Sequence, residues 1–168
     1  MKSIFKLLFA AFLTVAPLTV NAQSNVAHIN VQQLISEMPE VIAAQNELAK
    51  LEKDYTTQID NAFKEFQTKA QSYSSDAANQ TDVTNQARQK ELESMQTNLQ
   101  EFRDSAAQEL QKKQMDLMTP LLEKARNAIT KVGEEQGFNY VIDSSPNGGI
   151  ILANGKDLLA DVKKELGF

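Results

Sequence analysis

The stretch LAKLEKDYTTQIDNAFKEFQTKAQSY, residues 48–73, decides the fold. Its apolar residues recur in steps of 3, 4, 4, 3, 4, 4 and 3, which is an eleven-residue repeat. A repeat of about 3.67 residues per turn keeps one apolar stripe on the same face of a nearly straight helix. The sequence therefore predicts a long helix whose stripe comprises Leu48, Leu51, Tyr55, Ile59, Ala62, Phe66, Ala70 and Tyr73.

A second apolar stripe follows the polar segment SSDAANQTD, residues 74–82, which is rich in turn formers. If the chain folds back near Asn79, the numbers of facing residues add up to 157 or 158 along both stripes. The pattern predicts an antiparallel helical hairpin, the arm (residues 39–117), which runs about 50 Å from Val41 to Tyr73 at 1.5 Å per residue. The facing pairs are Phe66 with Leu92, Ala62 with Met95, Ile59 with Leu99, Tyr55 with Phe102, Leu51 with Ala106, Leu48 with Leu110, and Val41 with Leu117.

The second helix becomes apolar on more than one face beyond Leu117, where the first helix has no residues left to cover it. A helix that is apolar on several sides is buried on several sides. Pro120 interrupts this part, removes a backbone hydrogen bond and favours a kink. We expect some of this surface to contact other copies of the chain.

Three short segments are predicted to be strands: VAHINV (26–31), FNYVID (138–143) and IILA (150–153). We expect Asn30 to cap a short helix, Pro39 to begin the arm, and Gly137 to end the second long helix. Asp157 is predicted to cap a final helix that Gly167 ends. These elements form the body, residues 23–38 and 118–168, so the predicted fold class is α+β and mostly α.

A sheet of three short strands exposes its edges and has too little core to be stable alone. We therefore expect copies of the chain to associate through the body. The candidate residues for this interface are Ile29, Val31, Leu121, Leu122, Ile129, Val141 and Ile151.

The first 22 residues, MKSIFKLLFAAFLTVAPLTVNA, are typical of a secretory signal. Lys2 and Lys6 precede an apolar run, which Pro17 breaks before it is long enough to span a bilayer of about 30 Å. We expect cleavage near Ala22 and a mature single domain over residues 23–168. An uncleaved membrane anchor is the alternative.

Composition excludes several classes of protein. Without Lys2 and Lys6, 15 Lys and Arg stand against 22 Asp and Glu, which leaves a net charge of −7, so nucleic acid is an unfavourable partner. The chain has no cysteine and one histidine, His28, without an acid or nucleophile positioned beside it in the sequence. Gly148-Gly149 lacks the lysine and helix start of a phosphate loop. We predict neither an enzyme nor a metal or other cofactor.

Two long segments, VAHINVQQLISEMPE and LQKKQMDLMTPLLEKARNAITKVGEEQGFNYVID, carry a family resemblance, together with IILA and the final helix. They resemble the Skp (OmpH) family of periplasmic chaperones. The resemblance implies a homotrimer with a central β body and three hairpins around a cavity, which holds unfolded outer-membrane proteins without ATP. Better-known members are strongly basic, so we do not transfer contact with lipopolysaccharide or a membrane surface to this acidic chain.

The candidate client contacts are Phe63, Phe66, Tyr73, Met95 and Phe102. Phe63 lies beside the seam between the two helices, so it either faces the cavity or widens the seam. Two other classes of function stay open. An envelope adaptor would bind one folded partner with its arm. A small-ligand module would need a pocket with convergent polar groups, and the sequence shows no cluster of polar residues for one.

Overall fold

The structure is a computed structural model that describes residues 25–146 and 148–168, so the predicted signal segment lies outside the described residues. The described chain has an α+β fold that is mostly α. Its elements are β1 (Val26–Ile29), α1 (Val31–Glu37), α2 (Pro39–Asp76), a 3-10 turn (Ala77–Asn79), α3 (Asp82–Glu135), β2 (Tyr140–Asp143), β3 (Lys156–Asp157) and α4 (Leu159–Leu166).

The two long helices α2 and α3 form the predicted antiparallel hairpin. The chain reverses at the turn that ends with Asn79, and the Thr81 hydroxyl then caps α3 by accepting a hydrogen bond from Thr84 N. Every residue of the predicted α2 stripe is half-buried, while most residues between them are exposed. The rings of Tyr55 and Phe102 meet edge to face at 6.0 Å, which confirms the predicted pairing at this level.

The short helix α1 is separated from α2 by one residue. Asn30 caps α1 as predicted, because its Oδ1 accepts a hydrogen bond from Gln33 N at 2.9 Å. Met38 then adopts an extended backbone with φ −65° and ψ 122°, and Pro39 occupies the first turn of α2. Proline is favourable there because the first helical N–H groups have no partner within the helix.

The sheet has the order β2-β1-β3, and both outer strands run parallel to β1. Ala27 and Ile29 are buried, whereas Val26 and His28 are only half-buried, as the predicted alternation requires. The first strand is shorter than predicted, because Asn30 begins the cap of α1 and Val31 is already helical.

The prediction of a strand at IILA, residues 150–153, is wrong for the single chain. Lys156 and Asp157 form the third strand instead, and they pair with Ala27 and His28. Gly155 permits this close approach, because a Cβ there would lie 2.8 Å from the carbonyl oxygen of Val26. With β2 and β3 on its two sides, β1 has no edge left for the apolar segment.

The helix ends mostly match the sequence pattern. Helix α2 continues to Asp76 rather than ending near Tyr73, and α3 ends at Glu135, two residues before Gly137. Asp157 lies in β3, yet its Oδ1 still accepts a hydrogen bond from Leu159 N at 2.9 Å. The N-cap of α4 is nevertheless Leu158, which has no side-chain cap, so the prediction of Asp157 as the N-cap is wrong by one position.

The core of the body lies between the sheet, α1, the first turns of α2, the second half of α3, and α4. The sequence predicts that this part of α3 is buried on several sides. Helix α3 contributes buried residues to the core, and its partly buried Leu121 and Ile129 pack against them. The buried members of this core are Ala27, Ile29, Leu34, Met38, Val41, Ala125, Ala128, Val132, Leu158 and Val162.

Candidate functional site

The arm has a polar surface with few exposed apolar side chains. Among its described residues, the large apolar side chains that are exposed are Ile42, Phe63, Val83 and Met115. Phe63 is 40% exposed and lies about two thirds of the way along α2. Its ring stacks on Phe66 with centroids 6.5 Å apart and planes at 22°, so a seam residue holds one face of the Phe63 ring.

The other four client-contact candidates lie in the seam. Phe66, Tyr73, Met95 and Phe102 are all half-buried. Phe102 packs on Tyr55, and the Tyr73 hydroxyl donates a hydrogen bond to Glu91 at 2.5 Å. The structure therefore separates Phe63, whose ring is accessible, from four side chains that hold the hairpin together.

A polar network closes the far end of the arm. Asp76 accepts hydrogen bonds from Arg88 at 3.0 Å and Gln80 at 2.7 Å, while the Arg88 guanidinium lies 4.7 Å from the centre of the Tyr73 ring. Tyr73 and Lys69 both donate to Glu91. This tip network crosslinks the last turns of α2 to the first turns of α3.

The charges of the tip network shift the pKa values of its members in a consistent way. The hydrogen bond from Arg88, followed by that from Asn79, lowers the pKa of the Asp76 carboxyl. The hydrogen bonds from Lys69 and Tyr73 lower the pKa of Glu91. The same bonds to Glu91 raise the pKa of Lys69 and of the Tyr73 hydroxyl.

The tip network is expected to weaken in acid and in strong base. Carboxyls with a lowered native pKa stabilise the fold above their ordinary pKa, near 4, and lose this contribution as the pH falls through the native value. The raised pKa values of Lys69 and Tyr73 stabilise the tip below about pH 10, and this contribution is lost as the pH rises through the native values. NMR titration of the Asp76 and Glu91 carboxyls measures the effect of acid, and NMR titration of Lys69 and Tyr73 measures the effect of base.

Two substitutions serve as controls for each other in that titration. Arg88→Gln should bring the pKa of Asp76 back towards its ordinary value and change that of Glu91 less. Lys69→Met should bring the pKa of Glu91 back towards its ordinary value and change that of Asp76 less. An Asp76 carboxyl that titrates at its ordinary pKa in the unaltered chain would contradict the network.

The body carries an apolar groove next to β2, with a volume of about 600 Å³. Four of the predicted interface residues line it, and Leu122 is the most exposed of them at 44%. The groove is lined by both apolar and polar side chains. Its lining residues are Val31, Ile35, Leu122, Ala125, Arg126, Ile129, Thr130, Gly133, Glu134, Phe138, Asn139, Tyr140, Val141 and Asp143.

The remaining interface candidates occupy different environments. Ile29 is 1% exposed and lies in the core of the single chain, because the alternation of β1 turns it towards the helices. It has no surface to offer a second copy, and we correct that assignment. Leu121 packs against the core, whereas Ile151 is fully exposed between Ile150 and Leu152.

Sequence reasoning missed several residues of these surfaces. Tyr140 and Ile142 are exposed on β2, although the pattern of FNYVID gave no sign of which strand would lie at an edge. Apart from Tyr73, the members of the tip network were also missed. The sequence feature that could have predicted them is the opposite charge of residues on the two sides of the turn, such as Asp76 and Arg88.

Two kinds of feature are absent from the described residues. No helix within 25–146 or 148–168 is long and apolar enough to cross a membrane. In the same part of the chain, His, Asp and Glu side chains do not form a group of three or more that could hold a metal ion.

Comparison with known proteins places the chain in a family. A family model described as outer membrane protein (OmpH-like) matches residues 25–166. The chain is 27% identical over 148 residues to the chaperone protein Skp of Yersinia enterocolitica, covering 85% of this chain and 86% of the relative. It is 21% identical over 151 residues to the chaperone protein Skp of Pectobacterium atrosepticum, covering 90% of each. The chain therefore belongs to the OmpH-like family, which is the Skp family that its sequence pattern resembles.

Proposed function

We propose that this protein is an ATP-independent periplasmic holdase, which encloses unfolded outer-membrane proteins between helical arms and prevents their aggregation. The single observation that carries the proposal is the long polar hairpin that extends from a body with an uncovered apolar groove. The similarity to two chaperones named Skp supports the same role. The proposed role requires no catalytic residue and no cofactor.

The surface of the arm suits weak and reversible contact. An unfolded β-barrel chain exposes strand edges and alternating apolar side chains, which aggregate when they meet. An arm of this polarity cannot bury much of that surface, and it therefore keeps a client apart from other chains without binding it tightly. Helix α2 has 38 residues, or about 57 Å at 1.5 Å per residue, which is enough to surround a substantial volume.

The proposed assembly is a homotrimer. The groove at Leu122 and the exposed Ile150–Leu152 segment are two apolar surfaces on one body, and association of copies would cover them. In this proposal residues 1–22 are a signal removed near Ala22, and residues 23–168 form the chaperone domain. The arm comprises residues 39–117, and the body comprises residues 23–38 and 118–168.

Charge argues against a membrane surface or lipopolysaccharide as an additional partner. The arm residues 39–117 contain nine Lys and Arg against fourteen Asp and Glu, which leaves −5. Anionic headgroups repel a surface of this sign. Three of its cations, Lys69, Arg88 and Lys113, are also engaged by acids of the arm itself.

The alternative is an envelope adaptor whose arm tips grip one folded partner. The tip network weighs against it, because Asp76 already binds Arg88 and Gln80, while Glu91 already binds Lys69 and Tyr73. The exposed Val83 is the apolar group that a partner would find at the described tip. We therefore favour enclosure along the arm over a grip at its end.

The decisive experiment dilutes a denatured outer-membrane β-barrel protein into buffer with and without the mature protein and follows light scattering. We expect scattering to stay low in the absence of ATP, at stoichiometric rather than catalytic amounts of the protein. A protein that leaves the aggregation of several such clients unchanged, but forms a stable complex with one folded envelope protein, would support the adaptor instead.

Phe63→Ser tests the role of the accessible aromatic side chain. If Phe63 contacts clients, its loss should weaken client affinity by up to about tenfold, since a partly buried phenyl ring contributes roughly 1.4 kcal/mol. Val83→Ser is the matched control, because it removes an exposed apolar side chain from the tip. Weaker protection with unchanged helicity supports direct contact, whereas lost helicity would assign Phe63 to the seam.

A further inference from the structure

Two asparagines of the chain directly precede a glycine, Asn147 before Gly148 and Asn154 before Gly155. Asparagine is a thermolabile residue, because the backbone nitrogen of the next residue can attack its side-chain amide. A glycine in the next position allows this attack most easily, since no Cβ shields its nitrogen. Both pairs are equivalent in the sequence, and Asn147 itself lies outside the described residues. The structure distinguishes the pairs through the nitrogens of their glycines.

The Gly148 nitrogen is engaged in a tight turn, whereas the Gly155 nitrogen is free to react. Gly148 N donates a hydrogen bond to Ser145 O at 2.7 Å, and a Cβ at Gly148 would lie 2.6 Å from Asp143 O. Within 25–146 and 148–168, Gly155 N has no hydrogen-bond acceptor. The attacking nitrogen is therefore held back at Gly148 and available at Gly155.

Asn154 is also placed so that its side chain can reach that nitrogen. It is exposed, and residues 150–155 belong to no helix or strand, so the side-chain amide can turn towards Gly155 N without breaking regular structure. The amide of Asn154 makes no hydrogen bond with the described part of the chain. The fold thus neither protects this side chain nor depends on it.

The position of Asn154 makes the length of its backbone important. It lies directly before Gly155, which passes so close to β1 that an added Cβ would be 2.8 Å from Val26 O. Strand β3 begins at the next residue and has only two residues. A two-residue strand has few hydrogen bonds with which to resist a displacement of the preceding backbone.

We propose that Asn154 is a site of spontaneous deamidation, and that its isoaspartyl product releases β3 from β1. Gly155 N forms a bond to Cγ of Asn154, and the side-chain nitrogen leaves as ammonia with the proton of the Gly155 N–H. Water then opens the resulting succinimide ring. Opening at Cγ gives aspartate, whereas opening at the main-chain carbonyl gives isoaspartate, whose backbone runs through Cβ and contains one additional carbon. This carbon displaces Gly155 from its close approach to Val26.

The two sides of β1 should respond differently to this product. On the β3 side, Leu158 N donates to His28 O at 2.9 Å, and on the β2 side, Ser144 N donates to Ile29 O at 2.9 Å. Only the first of these hydrogen bonds follows residue 154 closely in the chain. Isoaspartate should therefore expose the amide of Leu158 to exchange and leave that of Ser144 protected. The inference concerns one chain and does not depend on the proposed function.

Site-resolved mass spectrometry tests the reaction itself. The purified protein is incubated in mildly alkaline buffer, and electron-transfer fragmentation locates each deamidated residue and separates isoaspartate from aspartate. We expect Asn154 to convert up to about tenfold faster than Asn147, the factor that the hydrogen bond holding Gly148 N is worth. Asn139 is the matched control, because it is exposed but followed by Tyr140, and it should stay unchanged. An Asn154 that stays intact, or converts no faster than Asn147, would overturn the proposed site.

Amide hydrogen exchange followed by NMR tests the structural consequence. In the isoaspartyl fraction of the incubated protein, we expect protection of the Leu158 amide to fall about tenfold, which is the loss of about one hydrogen bond, while the Ser144 amide is unchanged. Asn154→Ser cannot form the succinimide and should keep both amides protected after the same incubation. Freshly prepared Asn154→Asp carries the charge of the product without the extra backbone carbon, and it should also keep both protected. Full protection of Leu158 in the isoaspartyl protein, or equal loss in fresh Asn154→Asp, would refute the release of β3.

Discussion

Removing one eleven-residue repeat from each helix of the arm is expected to reduce client protection strongly and to leave assembly intact. The two blocks are residues 48–58 of α2 and residues 99–109 of α3, which face each other in the register fixed by Tyr55 and Phe102. Eleven residues make just over three full turns, so both apolar stripes stay aligned and the arm shortens by about 16 Å. The tip network and the body are unchanged, which isolates the length of the arm.

Light scattering of a denatured outer-membrane protein measures the effect of the shortened arm. We expect large clients to lose protection first, since the enclosed volume falls with arm length. Duplication of the same two blocks is the control, and it should retain or extend protection. A shortened chain that suppresses aggregation as well as the original would place client binding in the body.

Leu122→Asp is expected to prevent assembly of the body. In a single chain Leu122 is partly exposed, so a carboxylate there can stay hydrated and the fold should survive. In an assembly that covers the groove, the charge would be buried without a partner, which costs several kcal/mol. A cost of about 3 kcal/mol corresponds to a dissociation constant raised by about a hundredfold. Light scattering and sedimentation at micromolar concentration measure the change.

Ile42→Asp is the matched control for the groove. Ile42 has nearly the same exposure, 46%, but it does not line the groove, so its substitution should leave the assembly unchanged. A monomer in the unaltered protein would contradict assembly altogether. An assembled Leu122→Asp variant would show that another surface joins the copies.

The helical hairpin could be predicted because its determinants are local. The spacing from Leu48 to Tyr73 defines one face of a helix, and the turn formers near Asn79 define where the chain reverses. Caps such as Asn30 act within a few residues of themselves, so their side chains identify a helix start without any tertiary contact. The predicted pairing of Tyr55 with Phe102 then follows from the position of the turn alone.

The sheet and the candidate surfaces were less predictable because they depend on competition between distant segments. IILA has a stronger strand pattern than Lys156-Asp157, yet the latter pairs with β1 because Gly155 allows the backbones to approach. Likewise, Ile29 and Leu122 are both large apolar residues, and only the packing of the whole body decides which of them is covered. The spacing alone could not show that Phe63 is exposed while the aromatic residues of the seam are half-buried, because Phe63 adjoins the stripe.

The parallel sheet also imposes an order on the folding of the chain. Val26 pairs with Tyr140, 114 residues later, and no earlier strand among the described residues can satisfy β1. The contacts between the two helices of the arm are arranged around one turn, so the hairpin can form from the tip towards the body and bring the two halves of the body together before they pair. A nascent chain therefore cannot complete its sheet until nearly its whole length has been synthesised.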